Sequence, residues 1–245
     1  MDAQERGKAE VEGALARSAI YRILALGFSY PGPEVLGFLG GGFARKLAEA
    51  VLLLPGDDQP ELAGAVEGLN GTVGRQGEIE GEHNRLFRTQ LVCTPYETEY
   101  DPMRSVRKGQ ELADILGFYG AFGLEPSGKE RELPDHIGVE LEFMSLLLQK
   151  EAYARLNDWK ERVEICTDAQ VKFLRDHLGI WVFAFCDRLE ETSGAAFYRS
   201  LARLLRLFMG REIQALGVEP LKFQGGYTPS ERAACTCPLL EPGPD

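Results

Sequence analysis

Apolar residues recur along this chain about every 3.6 positions, the period of a helix with one buried face. Leu15, Ala19 and Ile23 make one stripe, with Ala16, Ile20, Leu24 and Phe28 beside it, and Pro31-Gly32-Pro33 ends that helix. A second helical stretch over 34–54 is weakened by Gly40, Gly41 and Gly42 and closed by Pro55-Gly56. Two shorter helices follow over 61–69 and 76–88. The segment 89–103 carries Pro95 and Pro102 and loses the period, which predicts an ordered loop. Leu112, Ile115 and Tyr119 share a face of a helix over 106–122, and Gly123 stops it.

A polar hinge over 124–134 leads into three long helices. Pro134 is expected in the first turn of the first, where no N–H donor is needed. Behind it stand Ile137, Leu141, Met144 and Leu148. Leu174, Leu178, Trp181, Phe185 and Leu189 mark the next, and Phe197, Leu201, Leu204 and Phe208 the last, which ends near Gly217. No run alternates with period two for long enough to propose a strand. The pattern predicts an all-α, bundle-like single domain of about eight helices or more. It spans residues 1–217, and a Pro/Gly-containing tail over 218–245 lies on the body or is disordered.

Composition narrows the function classes. Hydrophobic residues make up 44% of the 245, enough for a sizeable core, and no stretch approaches the roughly 20 apolar residues that cross a bilayer. Residues 1–12 are charged and carry no apolar targeting segment, so a cytoplasmic protein is expected. The net charge of −11 argues against nucleic acid and suits a basic partner. Cys93, Cys166, Cys186, Cys235 and Cys237 are odd in number and irregularly spaced, unlike a secreted disulfide framework.

Catalytic chemistry finds little support. Glu80 and His83 have the Glu-x-x-His spacing of carboxylate-bridged metal bundles, but neither His136 nor His177 has a glutamate three residues earlier. Cys235 and Cys237 offer two thiolates without a second close pair, so reduced tail cysteines are the simpler reading. Gly40-Gly41-Gly42 follows a helix and precedes no Lys-Ser or Lys-Thr, so no phosphate cradle is present. His136 beside Asp135 lacks an identifiable nucleophile. No catalytic residue, metal or cofactor is expected.

Two segments carry polar residues that packing alone does not require. One is Glu82-His83-Asn84-Arg85-Leu86-Phe87 followed by Pro95-Tyr96-Glu97-Thr98-Glu99-Tyr100. The other is Glu132-Leu133-Pro134-Asp135-His136 running into Glu140-Leu141-Glu142-Phe143-Met144. In order and spacing they resemble the TorD-like family of molybdoenzyme maturation chaperones, which includes the DmsD and NarJ groups. Tyr21 to Pro31, Phe118 to Leu124 and Phe197-Tyr198-Arg199 extend the resemblance over roughly residues 15–210. The hinge, with Arg131 before Glu132, looks closest to the branch serving periplasmic type II DMSO-reductase-family enzymes such as dimethylsulfide, ethylbenzene, chlorate or selenate enzymes. His83 stands where that family commonly has Tyr, and the Cys235/Cys237 tail is an addition.

The resemblance implies a cytoplasmic chaperone without turnover. Such a protein binds the twin-arginine leader of a molybdoenzyme catalytic subunit and assists cofactor insertion and assembly before export. Carried over by motif, the peptide-binding residues are Leu86, Phe87, Pro95, Tyr96, Glu97, Asp135 and His136. Carboxylates such as Glu97, Glu99 and Asp135 would take guanidinium groups, and Tyr96, Phe87 and Leu86 the apolar part. Asp135 also suits a helix N-terminus, and Leu86 and Phe87 also suit a core. Two other readings are a metal-dependent helical enzyme using Glu80, His83, Asp135 and His136, and an accessory subunit retained in the mature oxidoreductase. The expected state is a monomer or a homodimer formed by helix exchange.

Overall fold

The computed structural model describes residues 3–56, 58–72, 76–101, 106–124 and 132–222. Ten α-helical segments are assigned among them: α1 (Ala3–Phe28), α2 (Pro33–Gly41), α3 (Phe43–Leu52), α4 (Gln59–Asn70), α5 (Gln76–His83), α6 (Lys108–Ala121), α7 (Ile137–Leu156), α8 (Lys160–Phe173), α9 (Gly179–Thr192) and α10 (Ala196–Leu216). The only β-pairing among the described residues is an isolated bridge between Tyr96 and His136. The all-α expectation therefore holds. No helix among the described residues is long and apolar enough to cross a membrane.

The most extensive packing is between α1 and α7. They approach closely at Ser18 and Ser145, each hydroxyl donating to the other residue's carbonyl at 3.0 Å. Beside them, Gly27 gives α10 room: a Cβ there would sit 2.9 Å from a Leu201 methyl. One cluster of buried side chains runs from Val11 to Val218, with Trp181, Tyr21 and Tyr198 among its largest members. Burying each large apolar side chain contributes about 1.5–3 kcal/mol.

A chain of polar groups crosses this core. Arg17 forks onto Glu212 from α1 to α10, with its Nε at 2.9 and 3.0 Å from the two carboxylate oxygens and Nη2 at 2.7 Å from Oε2. The Arg17 Nη2 also reaches Gln170 Oε1 at 3.0 Å, and Gln170 donates to Glu151 Oε2 at 2.7 Å. Four helices are thereby joined through one buried polar chain. On the surface, Arg203 pairs with Glu190 at 3.0 Å, Arg206 with Asp187, and Arg199 donates to the Ser193 carbonyl.

Several elements differ from the sequence pattern. The 34–54 stretch breaks into α2 and α3 at Gly42, within the glycine run. Helix α7 starts at Ile137, with His136 as its cap, so Pro134 lies in the preceding turn rather than the first helical turn. Helix α8 is separate, which makes four long helices after the hinge instead of three. It joins α9 through a π turn over Leu174–Leu178, and α5 runs into a second over Asn84–Thr89. Gly179 makes the first of these possible, because a Cβ there would collide with the Leu174 carbonyl. Residues 218–222 lie on the body, with Val218 buried and Leu221 N–H donating to the Arg175 carbonyl at 3.0 Å. Cys235 and Cys237, Arg131 and most of the hinge are outside the described residues.

Candidate functional site

The two motif segments meet. Glu97 N–H donates to the Asp135 carbonyl at 2.9 Å, and Ile137 N–H donates to the Pro95 carbonyl at 2.8 Å. These two bonds pair Pro95-Tyr96-Glu97 antiparallel with Asp135-His136. Side chains reinforce the backbone pairing. Asp135 Oδ2 accepts from Thr98 Oγ1 at 2.6 Å and from Thr98 N–H at 3.2 Å. The Tyr96 ring stands edge-on to the His136 ring at 5.4 Å, and its hydroxyl donates to Glu132 Oε2 at 2.8 Å. From α6, Tyr119 donates to the Pro134 carbonyl at 2.7 Å.

His136 caps α7. Its backbone is extended (φ −76°, ψ 135°) and its Nδ1 accepts from Gly138 N–H at 3.0 Å. That acceptor exists only in the neutral ring, and burial holds the His136 pKa down at about 4. Burial also lowers His83 to about 4, and both imidazoles feel the charge of Glu132. His83 sits between Tyr30 and Phe87, with ring centroids at 5.5 and 5.1 Å. The junction thus continues towards Leu86 and Phe87, whose segment returns to it through Cys93 N–H donating to the Leu86 carbonyl at 3.2 Å.

Of the residues predicted from sequence, Pro95, Tyr96, Glu97, Asp135 and His136 lie together in this junction. Leu86 (0% exposed) and Phe87 (5%) are core, the latter edge-on to Tyr198 at 5.5 Å. Glu97 and Asp135 are also buried, at 1% and 0%, with their carboxylates turned inward. Glu99 is partly exposed and pairs with Lys108 at 3.2 Å. The exposed edge consists of Glu132, Leu133 and the half-buried Tyr96, with Arg88 acting on both Tyr96 and His83. Arg88 also lies over the exposed Tyr30 ring at 5.0 Å.

Sequence reasoning missed the layer beneath. His177, in the π turn between α8 and α9, has Nδ1 3.4 Å from Glu97 Oε1 and Nε2 3.2 Å from Asp114 Oδ2. Trp181 Nε1 donates to Glu140 Oε2 at 3.1 Å, and burial followed by the charge of Glu97 drives the Glu140 pKa well up. Glu140 was detectable: it occupies a helix position flanked by Ile137 and Leu141 on the buried side. Nothing in the pattern tied His177 to Glu97, 80 residues away. Between α6 and α8 an open groove of about 350 Å³ is lined by Asp114, Phe118, Phe122, Ile165 and Lys172.

The Glu80/His83 pair does not form a metal set. Glu80 accepts from the Tyr30 hydroxyl at 2.6 Å, and His83 is enclosed by aromatic rings. Among the described residues one group, Glu97, Glu111 and His177, brings three potential ligand atoms within 4.8 Å of one another.

The all-α body accords with the TorD-like chaperone class, and similarity to known proteins places the chain there. The chain belongs to the family described as nitrate reductase delta subunit, whose model matches residues 55–187. It is 30% identical over 217 residues to the chlorate reductase assembly chaperone protein of Ideonella dechloratans, covering 86% of this chain and 95% of that protein. To the perchlorate reductase assembly chaperone protein of Dechloromonas aromatica it is 26% identical over 211 residues, 84% and 92% of the two chains. To a chaperone protein TorD of Photobacterium profundum it is 27% identical over 182 residues, 73% and 79%. Relatives named as assembly chaperones weigh against the metal-dependent enzyme reading.

Proposed function

We propose that this protein is a cytoplasmic maturation chaperone for a molybdenum oxidoreductase of the DMSO-reductase family. It binds the twin-arginine leader or the apo catalytic subunit, or both, and assists cofactor insertion and assembly before export. The observation that carries this reading is similarity over nearly the full length to a chlorate reductase assembly chaperone. The junction geometry supports it. Pro95, Glu97, Asp135 and His136, backed by Leu86 and Phe87, hold Tyr96, Glu132 and Leu133 at one edge. A carboxylate beside an aromatic and an aliphatic group suits a peptide that is basic and then apolar. The net charge of −11 favours encounter with such a peptide.

Calorimetry with a twin-arginine leader peptide tests the proposal. Binding at micromolar or better affinity is expected, weakening as salt screens the charged contacts. Replacing the paired arginines by lysines should weaken it further, since lysine lacks the planar fork. The absence of binding heat from the leader of the cognate catalytic subunit, across several salt concentrations and temperatures, would refute it.

A further inference from the structure

We infer that Glu97 and Glu140 share one proton, so that a neutral carboxyl on α7 latches the Pro95-Tyr96-Glu97 segment to the helical layer and lets it go when the proton leaves. The latch belongs to the fold itself and holds whether or not the leader peptide is the ligand.

Three observations carry the inference. The first is contact. The Glu140 side chain is hydrogen-bonded to that of Glu97. An ionised carboxylate only accepts, so two of them have no hydrogen to share. A bond between the two carboxyls therefore contains a proton, whatever else Glu97 touches. Glu97 and Glu111 do have further contacts, so their approach to His177 calls for no cation.

The second is enclosure. Glu140 is 0% exposed. Its Oε2 accepts from Trp181 Nε1 of α9 at 3.1 Å, and its Oε1 receives no hydrogen bond from a donor among the described residues. One neutral donor is poor compensation for a buried negative charge. A protonated carboxyl needs only an acceptor for its O–H, and Glu97 supplies one.

The third is the surrounding charge. Glu97, from the 3-10 turn Glu97–Glu99, and Asp135, from the turn before α7, both act on Glu140 and both disfavour its ionisation. Tyr119 of α6 faces the same group. His177, from the π turn, spends its two ring nitrogens on Glu97 and Asp114. Lys108 of α6 acts on Asp135 and pairs with Glu99. Further along α7, Glu142 answers to Arg22.

The direction of the response follows. Burial, then the charge of Glu97, holds the Glu140 pKa well above its ordinary 4.5. A group raised in this way stabilises the folded chain at low pH, and that contribution is lost as pH rises through the folded value. Losing the proton sets two negative charges against each other beside Asp135. The bonds from Glu97 N–H to the Asp135 carbonyl and from Ile137 N–H to the Pro95 carbonyl must then hold the segment alone. This alkaline release is opposite in sign to the response of His83 and His136, whose pKa values burial lowers.

The test compares the full chain with Glu140→Gln, whose amide can donate to Glu97 and accept from Trp181 without a titrating proton. Infrared difference spectroscopy at about pH 6.5, where an ordinary carboxyl is ionised, reads the C=O stretch of a protonated acid and its shift in D₂O. A band present in the parent and missing from Glu140→Gln is expected. Hydrogen exchange reads the latch. Between about pH 6.5 and about 8, protection of the Glu97 and Thr98 amides, corrected for the intrinsic rate, should fall about tenfold per pH unit in the parent, the slope of one proton released on opening. It should stay level in Glu140→Gln. No difference band between the two chains, or equal slopes of protection against pH, overturns the inference. Failure of Glu140→Gln to fold overturns it as well, because a site built for a neutral acid accepts the amide.

Discussion

Thr98 and Asp135 are locked together by two hydrogen bonds to one oxygen: the Thr98 hydroxyl and its backbone N–H both donate to Asp135 Oδ2, at 2.6 and 3.2 Å. Both residues are fully buried. The lock fixes the Pro95–Thr98 segment against the turn that enters α7, independently of the backbone bridge beside it. Asp135→Ala would strand a buried hydroxyl and a buried N–H together. A loss of about 2–4 kcal/mol is expected, because each orphaned donor costs on the order of 1–3 kcal/mol. Thr98→Val keeps the shape and removes one donor, and should cost less. Urea denaturation of the two variants checks the order; equal stability of Asp135→Ala and the parent would show that the lock carries no energy.

Acid should weaken the junction. In the folded chain His83 and His136 titrate at about 4, against an ordinary value of 6.5. Between those values the unfolded chain takes up protons that the folded chain refuses. Stability therefore falls as pH drops from about 6.5 towards about 4, by up to about 1.4 kcal/mol per unit for each histidine. Glu82 behaves in a separate, lower window. Its pKa is held at about 2, mainly by the Arg85 guanidinium and also by Gly194 N–H and the Ser193 hydroxyl, so its contribution is lost only as pH falls below 4.5. His136→Asn retains an acceptor for Gly138 N–H and cannot titrate in this range. Its Tm should change less between pH 7 and pH 5 than that of the parent, and an unchanged slope would remove His136 as a cause.

The helical body and the two motif segments are legible in the sequence because helical periodicity is local, and Pro95 and the glycines punctuate it. The bridge between Tyr96 and His136 spans 40 positions, and no short-range pattern records it. The π turns escaped for a related reason. Widening one turn at Asn84–Thr89 or Leu174–Leu178 shifts the apolar face by a fraction of a turn, which the 3.6-residue template absorbs as noise. Pro134 misled because a proline suits both the first turn of a helix and the turn ahead of it. Glu97 and Asp135 were read as outward carboxylates because acidic groups are usually solvated, whereas here Thr98 and His177 partner them inside.

The Arg17–Glu212 fork should be among the least replaceable contacts of the body. Both groups are largely sealed from solvent, with the Arg17 side chain 14% exposed and that of Glu212 0%. Arg17→Leu would leave the buried Glu212 carboxylate, which faces Tyr21, with the single longer contact from Arg211 Nη1 at 3.2 Å, and Gln170 without its donor. A loss of about 3–5 kcal/mol is expected, as for other broken buried pairs. Replacing both partners, Arg17→Leu with Glu212→Leu, should recover part of it. A thermal-denaturation cycle on the four chains measures the coupling, and additive losses would mean that the two side chains act independently.

Contact residues and supporting residues of the proposed leader site can be separated by measuring stability and affinity on the same variants. Leu86 is fully enclosed, so Leu86→Ala leaves a cavity and should cost about 2–5 kcal/mol. Any loss of leader binding in that variant should follow the loss of folded chain. Leu133, 40% exposed, and the exposed Glu132 bury little at the edge of the junction. Changing both, Glu132→Lys with Leu133→Ser, exchanges an attractive charge for a repulsive one and removes an apolar contact. Tm should move little, because the bond from Tyr96 to Glu132 is solvent-exposed. Affinity for a twin-arginine peptide should fall more than tenfold if each altered contact supplies about 1 kcal/mol or more. Calorimetry on the folded double variant decides the matter: parent-like affinity would move the contact surface away from this edge, whereas a selective loss would place the arginines beside Glu132.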